Sequence, residues 1–496
     1  MPEDRSARGN DRMSRASSED ARGGRRIRGH TLAVVNGKVW GRPGATAVAA
    51  DGARISEIGT GRLAAERVID AAAAWILPAF NDAHLHFLMA SRSLGQLDLF
   101  GVETQAEIER RITDYAPAHP GGWLVGRGWF YSAFPGGMPT VDLLDRLVPD
   151  RPAYLESFDA HTGWANSRAL SVVGVGPRDV LKEAVMLGFV DAMPRPTKAQ
   201  DLDALRAGMR LAASKGIGSV QEAGDGQNQL DLWSSLRDSG ELSLRVRLAF
   251  DLEPGTDIGQ YDAMRREGDG WITTGALKAF ADGVVESRTA AMLQPYRGSE
   301  ERGEPIWGGQ ELFAVVHEAD ARGWQVQVHA IGDAAVRQAL DAFEDTTPGR
   351  RHRVEHIENP DPADIPRFAR LGVIASMQPQ HAAPAMLEAW RRLLGPKRAA
   401  RGWPWKAIHD SGGKLAFGSD WPVVPLDPIA SVAEAQRDLS FEAAVDAWTS
   451  GAAFAEHAET EKGAVGEGML ADLAVVDFAA ASVKATVVGG RVVYEG

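Results

Sequence analysis

The feature that most constrains this chain is a succession of eight short apolar runs, each able to form a strand and most followed by a stretch with helical periodicity. They fall at residues 76–81, 218–222, 245–251, 275–280, 325–329, 353–356, 373–378 and 414–419. In 333–344, Val336, Leu340 and Phe343 share one face at helical spacing. The stretch 361–370 is similar, and Gly372 stands where a helix C-cap is expected. Strand and helix alternating through eight units predict a (β/α)8 TIM barrel of the α/β class. A chain of 496 residues with 44% hydrophobic content can bury such a barrel and a smaller accessory domain.

Both ends of the chain have a different texture. Short strand candidates with turns fill residues 31–69, including the Asn36-Gly37 turn, and the style returns in 471–477, 486–488 and 491–494 around Gly489-Gly490. Each segment is too small to stand alone, so the two are expected to pair into one composite β-sandwich rather than form unrelated caps. The resulting division is a disordered tail at 1–28, sandwich at 29–77, barrel at 78–461 and sandwich again at 462–496.

The first barrel unit is abnormal, because more than a hundred residues separate His86 from the second strand near Gly218. An insertion at about 90–212 is implied. It contains a capping-box start, Thr104-Gln105-Ala106-Glu107, and an aromatic loop, Gly126-Arg127-Gly128-Trp129-Phe130-Tyr131. Leaving the barrel directly after His86, it is placed to cover the mouth and shape a substrate pocket.

Composition excludes several functions. A formal net charge of -13 argues against a nucleic-acid partner and favours a small-molecule substrate. With no cysteine, thiolate catalysis, disulfides and Cys-based zinc sites are ruled out, so any metal must be held by His, carboxylate or a modified Lys. No apolar run approaches the roughly 20 residues that a membrane helix requires. The Arg-, Ser- and Gly-rich start lacks the apolar core of an export signal, Met13 is a second candidate start, and the cytoplasm is the expected location. A symmetric homodimer is the default oligomer.

Metal-binding residue types recur at the strand ends. His84 and His86 follow the first run, His329 and His356 close the fifth and sixth, and Asp420 follows the eighth. His-x-His alone is weak evidence, but on a strand both imidazoles point to one side. Independent core histidines would rarely all fall at the catalytic end of a barrel. Lys278, inside the apolar stretch Ala276-Leu277-Lys278-Ala279-Phe280, is costly there unless neutralised or paired. A carboxylate added to it by CO2 would make it an oxygen ligand; a snorkelling side chain or a pair with Asp282 is the structural alternative.

The set Asn81-Asp82-Ala83-His84-Leu85-His86-Phe87, the Lys278 stretch, His329-Ala330-Ile331-Gly332-Asp333, Glu355-His356 and Gly418-Ser419-Asp420-Trp421-Pro422-Val423 resembles the amidohydrolase superfamily. More narrowly it resembles the amidohydrolase 3 (YtcJ-like) family, which includes N-substituted formamide deformylase. The likeness runs from about Thr31 to the C-terminus, and 471–477 matches the family's closing β segment. The resemblance implies a metal-dependent hydrolase of C–N bonds in an amide or cyclic amide. His84, His86 and Asp420 would hold one metal, His329 and His356 a second, and carboxylated Lys278 would bridge them. Asp420 would also move the proton from the attacking water to the leaving amine. Zinc suits this His-rich set, two per chain, with iron, manganese or a single metal as alternatives.

Substrate contacts are expected from Trp129, from His161 and Glu183 in the insertion, and from His381 after the seventh run. Trp129, Phe130, Tyr131 and Trp421 suggest an apolar or aromatic substrate group. One stretch departs from the family pattern. Between Gly174 and Lys182 the usual longer Gly- and Pro-rich excursion is reduced to Val175–Leu181, which predicts a different lid. An ester, lactone or carbamate hydrolase, a metal-assisted isomerase, or a binding protein with a retained metal site are the rival readings. The complete set of six ligand positions argues against the last.

Overall fold

The structure, a computed structural model, describes residues 29–158, 162–265, 268–382 and 384–496. Eight parallel strands form one sheet in chain order: Phe80–Leu85, Ile217–Glu222, Arg245–Asp251, Ile272–Phe280, Gln325–Ala330, Arg353–His356, Ile374–Met377 and Lys414–Phe417. Neighbours pair throughout in parallel register, as in Lys278 with Gln327 and His329 with Glu355. Helices such as Asp333–Ala342 and Ile365–Leu371 follow the strands, and Gly372 ends the latter in a left-handed turn with φ 65°. Their apolar faces and the outward faces of the strands make one continuous core, including Val336, Leu340 and Phe343.

The first and last barrel strands meet through isolated bonds near the mouth. Asp82 Oδ1 accepts from the backbone N–H of His84 and of Ser419, at 3.2 and 3.0 Å. Asp420 N–H donates to His84 O at 2.7 Å, and His86 N–H to Trp421 O at 2.9 Å. The approach is so close that a Cβ on Gly418 would lie 2.5 Å from His84 N, which is why glycine stands there. The seam therefore fixes His84, His86 and Asp420 relative to one another.

The first apolar run, expected as a single barrel strand at 76–81, is two strands. Trp75–Pro78 belongs to the terminal sandwich, and the barrel strand begins at Phe80. Pro78 has no N–H to extend a ladder, whereas the apolar pattern runs through it unbroken. The sandwich joins both ends of the chain: Trp75–Pro78 pairs with Leu473–Asp477, which continues into Ser482–Val488 and Arg491–Glu495. This sheet packs on a four-stranded sheet from residues 30–70, burying Leu32, Val34, Ile55, Ile76, Val475 and Val487 together.

The inserted segment builds its own five-stranded sheet, from Leu97–Asp98, Leu124–Trp129, Ala153–Ser157, Thr162–Ala165 and Leu181–Lys182. Helix Gln105–Ala118 starts at Thr104, whose hydroxyl accepts from Glu107 N–H. The Glu107 carboxylate is taken by Arg110 and Arg111, however, at 2.7 to 3.2 Å. The reciprocal capping box lies at Thr197 and Gln200, ahead of Lys198–Ser214. That helix returns the chain to the barrel, and its Asp201 takes both Nε and Nη2 of Arg92, at 2.7 and 2.9 Å.

Candidate metal centre at the barrel mouth

Five residues at the ends of strands one, five, six and eight converge on one spot. Atoms of His84, His86 and Asp420 able to ligate lie within 4.8 Å of one another. Nε2 of both histidines is 3.5 Å from Asp420 Oδ1. The His84 and His356 rings are 4.7 Å apart, and those of His329 and His356 4.4 Å. His356 and Asp420 follow their strands in left-handed backbone, with φ of 73° and 57°. Non-glycine residues seldom adopt that conformation, and it is concentrated at functional sites.

A buried polar network sets how His84 presents itself. Its Nδ1 lies 2.6 Å from Glu355 Oε2, so the N–H donates there and Nε2 faces the mouth. Glu355 is held in turn by Arg353, which also donates to Ala83 O, Gln221 Oε1 and Ser376 Oγ. Burial opposes charge on Glu355, but Arg353 and His84 outweigh it and hold the carboxyl at about 2. On strand six, Arg353 and Glu355 point into the barrel, two residues apart, and His356 follows at its rim.

Several of the donors are in states suited to a cation, whereas at His84 burial is outweighed by Glu355 and Asp420, which raise its pKa. Burial pushes His86 down to about 4 and His329 to about 3, leaving neutral imidazoles. Burial opposes ionisation of Asp420, yet His84, His356 and His86 keep its carboxyl well below the usual range. His84 Nε2, Asp420 Oδ1 and Lys278 Nζ are all buried without a hydrogen-bond partner. Such atoms are expensive to leave unsatisfied, and a divalent cation bound by neutral imidazole and carboxylate would satisfy the first two. The residues present therefore fit a metal.

Lys278 is only 1% exposed, its Nζ standing 3.5 Å from the centre of the Phe280 ring. Burial pulls its ammonium down to about 8, partly offset by Glu355 and Asp420. A pair with Asp282 is not formed. The Asp282 carboxylate instead accepts from the backbone N–H of Ala291, Ile331 and Gly332, at 2.8 to 3.0 Å.

The other positions separate. His381 is brought to the site: its Nε2 is 3.7 Å from Asp420 Oδ2 and its Nδ1 is 2.9 Å from Glu358 Oε1. His356, Glu358 and His381 make a second group with ligand atoms within 4.8 Å of one another. Glu358 had no motif to mark it. His329 Nε2 instead lies 3.2 Å from Gly283 O and 3.7 Å from Asp282 Oδ1. Trp129 is not at the mouth. It is fully buried in the core of the inserted sheet, Nε1 donating to Leu155 O, because its strand turns that side chain inward. His161 lies outside the described residues; Glu183 begins helix Glu183–Ala192, and its side chain is likewise outside them. His86 is the open edge of the cluster, with 25% of its side chain exposed, and Phe280 beside His329 is 41% exposed.

The profile of the amidohydrolase family matches residues 67–494. The chain belongs to the amidohydrolase family. It is 28% identical over 476 residues to the putative amidohydrolase YtcJ of Bacillus subtilis (strain 168), covering 85% of this chain and 89% of that one. It is 24% identical over 502 residues to N-substituted formamide deformylase of Arthrobacter pascens, covering 87% and 90%. In structure it is similar to an uncharacterized metal-dependent hydrolase from Pyrococcus furiosus. The TM-score is 0.74 at 25% identity, covering 90% of this amidohydrolase and 99% of that chain. Among the described residues, no helix is long and apolar enough to cross a membrane.

Proposed function

We propose that this hydrolase cleaves the C–N bond of a small amide or cyclic amide at the barrel mouth, with His84, His86 and Asp420 holding one metal. The observation that carries the reading is the mutual approach of those three ligand sets within 4.8 Å. A second metal would be held by His356, with His329 as its sequence partner and Glu358 and His381 as its neighbours in space. Zinc suits the donors, and a carboxylate on Lys278, formed by attack of its neutral amine on CO2 with loss of one proton, would give it an oxygen ligand. A bound divalent cation supplies two things here: a water acidified toward neutral pH and polarisation of the scissile carbonyl.

The chain's own groups do the rest. Asp420, ionised, accepts the proton of the attacking water and returns it to the departing amine nitrogen. Glu355 fixes the His84 tautomer, so its Nε2 lone pair stays turned to the site. His381, steadied by Glu358, would contact the substrate through its Nε2, which lies 3.7 Å from Asp420 Oδ2. Phe280 offers an exposed apolar face beside His329 for an acyl or amine substituent. Similarity to N-substituted formamide deformylase supports the amide over the ester.

Hydrolysis of a matched panel of amides, cyclic amides, esters, lactones and carbamates, with and without added zinc, tests this. Zinc-dependent release of amine, faster than release of alcohol from the matched ester, is expected. Preference for the ester or lactone would move the reading to that class, and no turnover of any member would sink it.

A further inference from the structure

At the opposite end of the barrel, where the strands begin, a cavity of about 990 Å3 lies between the barrel floor and the terminal sandwich. Six cationic side chains line it against three carboxylates, in a chain whose formal net charge is -13. Each of those carboxylates is already matched: Glu461 by Arg54 at 2.8 Å, Glu456 by Lys462 at 2.8 Å and Asp269 by Arg237 at 2.5 Å. Two of the cations answer to carboxylates outside the wall, Arg245 to Asp472 at 2.5 Å and Arg350 to Asp320 at 2.9 Å.

That leaves Arg247 and Arg265, which have no carboxylate in ion-pair range among the described residues. Arg247 donates to Glu456 O and to Gln325 Oε1; Arg265 donates to Gly323 O. Arg247 is only 6% exposed, and its Nε has no partner. Burial, with Arg353 adding repulsion, pulls its guanidinium down to about 10, against the pull of Glu456. A buried guanidinium satisfied only by neutral oxygens is short of an anion.

We propose that this cavity is a second ligand site, which binds a small organic oxyanion of two or more negative charges through Arg247 and Arg265. Guanidinium forks match carboxylate and phosphate oxygens, and the volume is that of a metabolite site rather than a bare ion. The site is separate from the metal centre. Gln325, on the cavity wall, opens the strand that carries His329, so the two ends are roughly 13 Å apart at about 3.3 Å per residue.

Calorimetric titration of the full-length, metal-loaded protein with glutarate and with glycerol 3-phosphate, at fixed ionic strength, tests the proposal. These probes chelate metals weakly, and the two arms separate a carboxylate ligand from a phosphate one. At least one should bind, with affinity lowered about tenfold or more in Arg265→Gln while hydrolysis is unchanged. Arg247→Gln should do the same; because it is buried and its loss can disturb folding, the exposed Arg265 carries the test alone if needed. Neither probe binding, or equal binding by Arg265→Gln, would overturn the proposal.

Discussion

The two ends of this barrel treat charge in opposite ways. At the floor, Arg245 and Asp472 are buried together and joined by bonds of 2.5 and 3.0 Å, and Arg350, Lys462 and Arg54 are similarly matched. At the mouth, His84 Nε2, Asp420 Oδ1 and Lys278 Nζ are buried without a hydrogen-bond partner, the first two facing each other at 3.5 Å. Both ends are made by the same strands, so burial alone does not explain the contrast. Matched charge holds the barrel to its sandwich; unmatched polar atoms mark where a ligand supplies the missing partner. Arg247 and Arg265 are the exceptions at the floor, which is why a second ligand is proposed there.

The largest effect expected is at the mouth. Asp420→Asn keeps shape and one ligating oxygen but removes the base, so kcat should fall by about 10² to 10⁴ with near-normal metal content. Steady-state kinetics alongside metal analysis checks it. A variant that keeps kcat and raises only KM would make Asp420 a positioning residue and dissolve the contrast at its sharpest point. At the floor the expected loss is of stability instead. Arg245→Met strands the Asp472 carboxylate, which should cost about 3 to 5 kcal/mol in denaturant unfolding. The rate per folded molecule should stay as it was. A slower enzyme with unchanged stability would reverse the roles of the two ends.

A more gradual effect is expected from pH. Glu222, buried at the end of the second strand and accepting from Phe87 N–H, is pushed up to about 8 by burial. Its folded pKa exceeds the unfolded one, near 4.5. The proton it holds stabilises the fold below the unfolded value, and that stability is lost as pH rises toward 8. The slope is up to ~1.4 kcal/mol per pH unit across the window. Glu222→Gln should flatten that fall in a series of unfolding curves from pH 5 to 8; an unchanged slope would place its origin elsewhere.

Much of this was legible in the sequence because strand ends are where a barrel puts its site. His84, His86, His329, His356 and Asp420 each follow or close a visible apolar run, and the structure gathers them. The supporting residues carried no such signal. Arg353 and Glu355 read as ordinary charges beside His356, and only the closed barrel shows them buried against His84 and Ala83. Asp82 stands two residues before the His-x-His pair, but its work is to bond Ser419, 337 residues away. Glu358 and His381 are matched across two strands, a pairing that local spacing cannot express. Trp129 was misplaced because an aromatic loop looks the same at a mouth and in a core, and which way its strand faces is decided by the inserted sheet. The break at Pro78 was hidden by an apolar run that serves two sheets in succession.

The most direct test of the central claim is elemental analysis of protein purified without chelator, with activity followed on the same sample. The account predicts two divalent metals per chain, zinc foremost. Stripping them should abolish hydrolysis and lower Tm, since the ligands come from five different strands. His84→Ala with His86→Ala should lose at least one metal together with activity. Metal-free protein that remains fully active would contradict it.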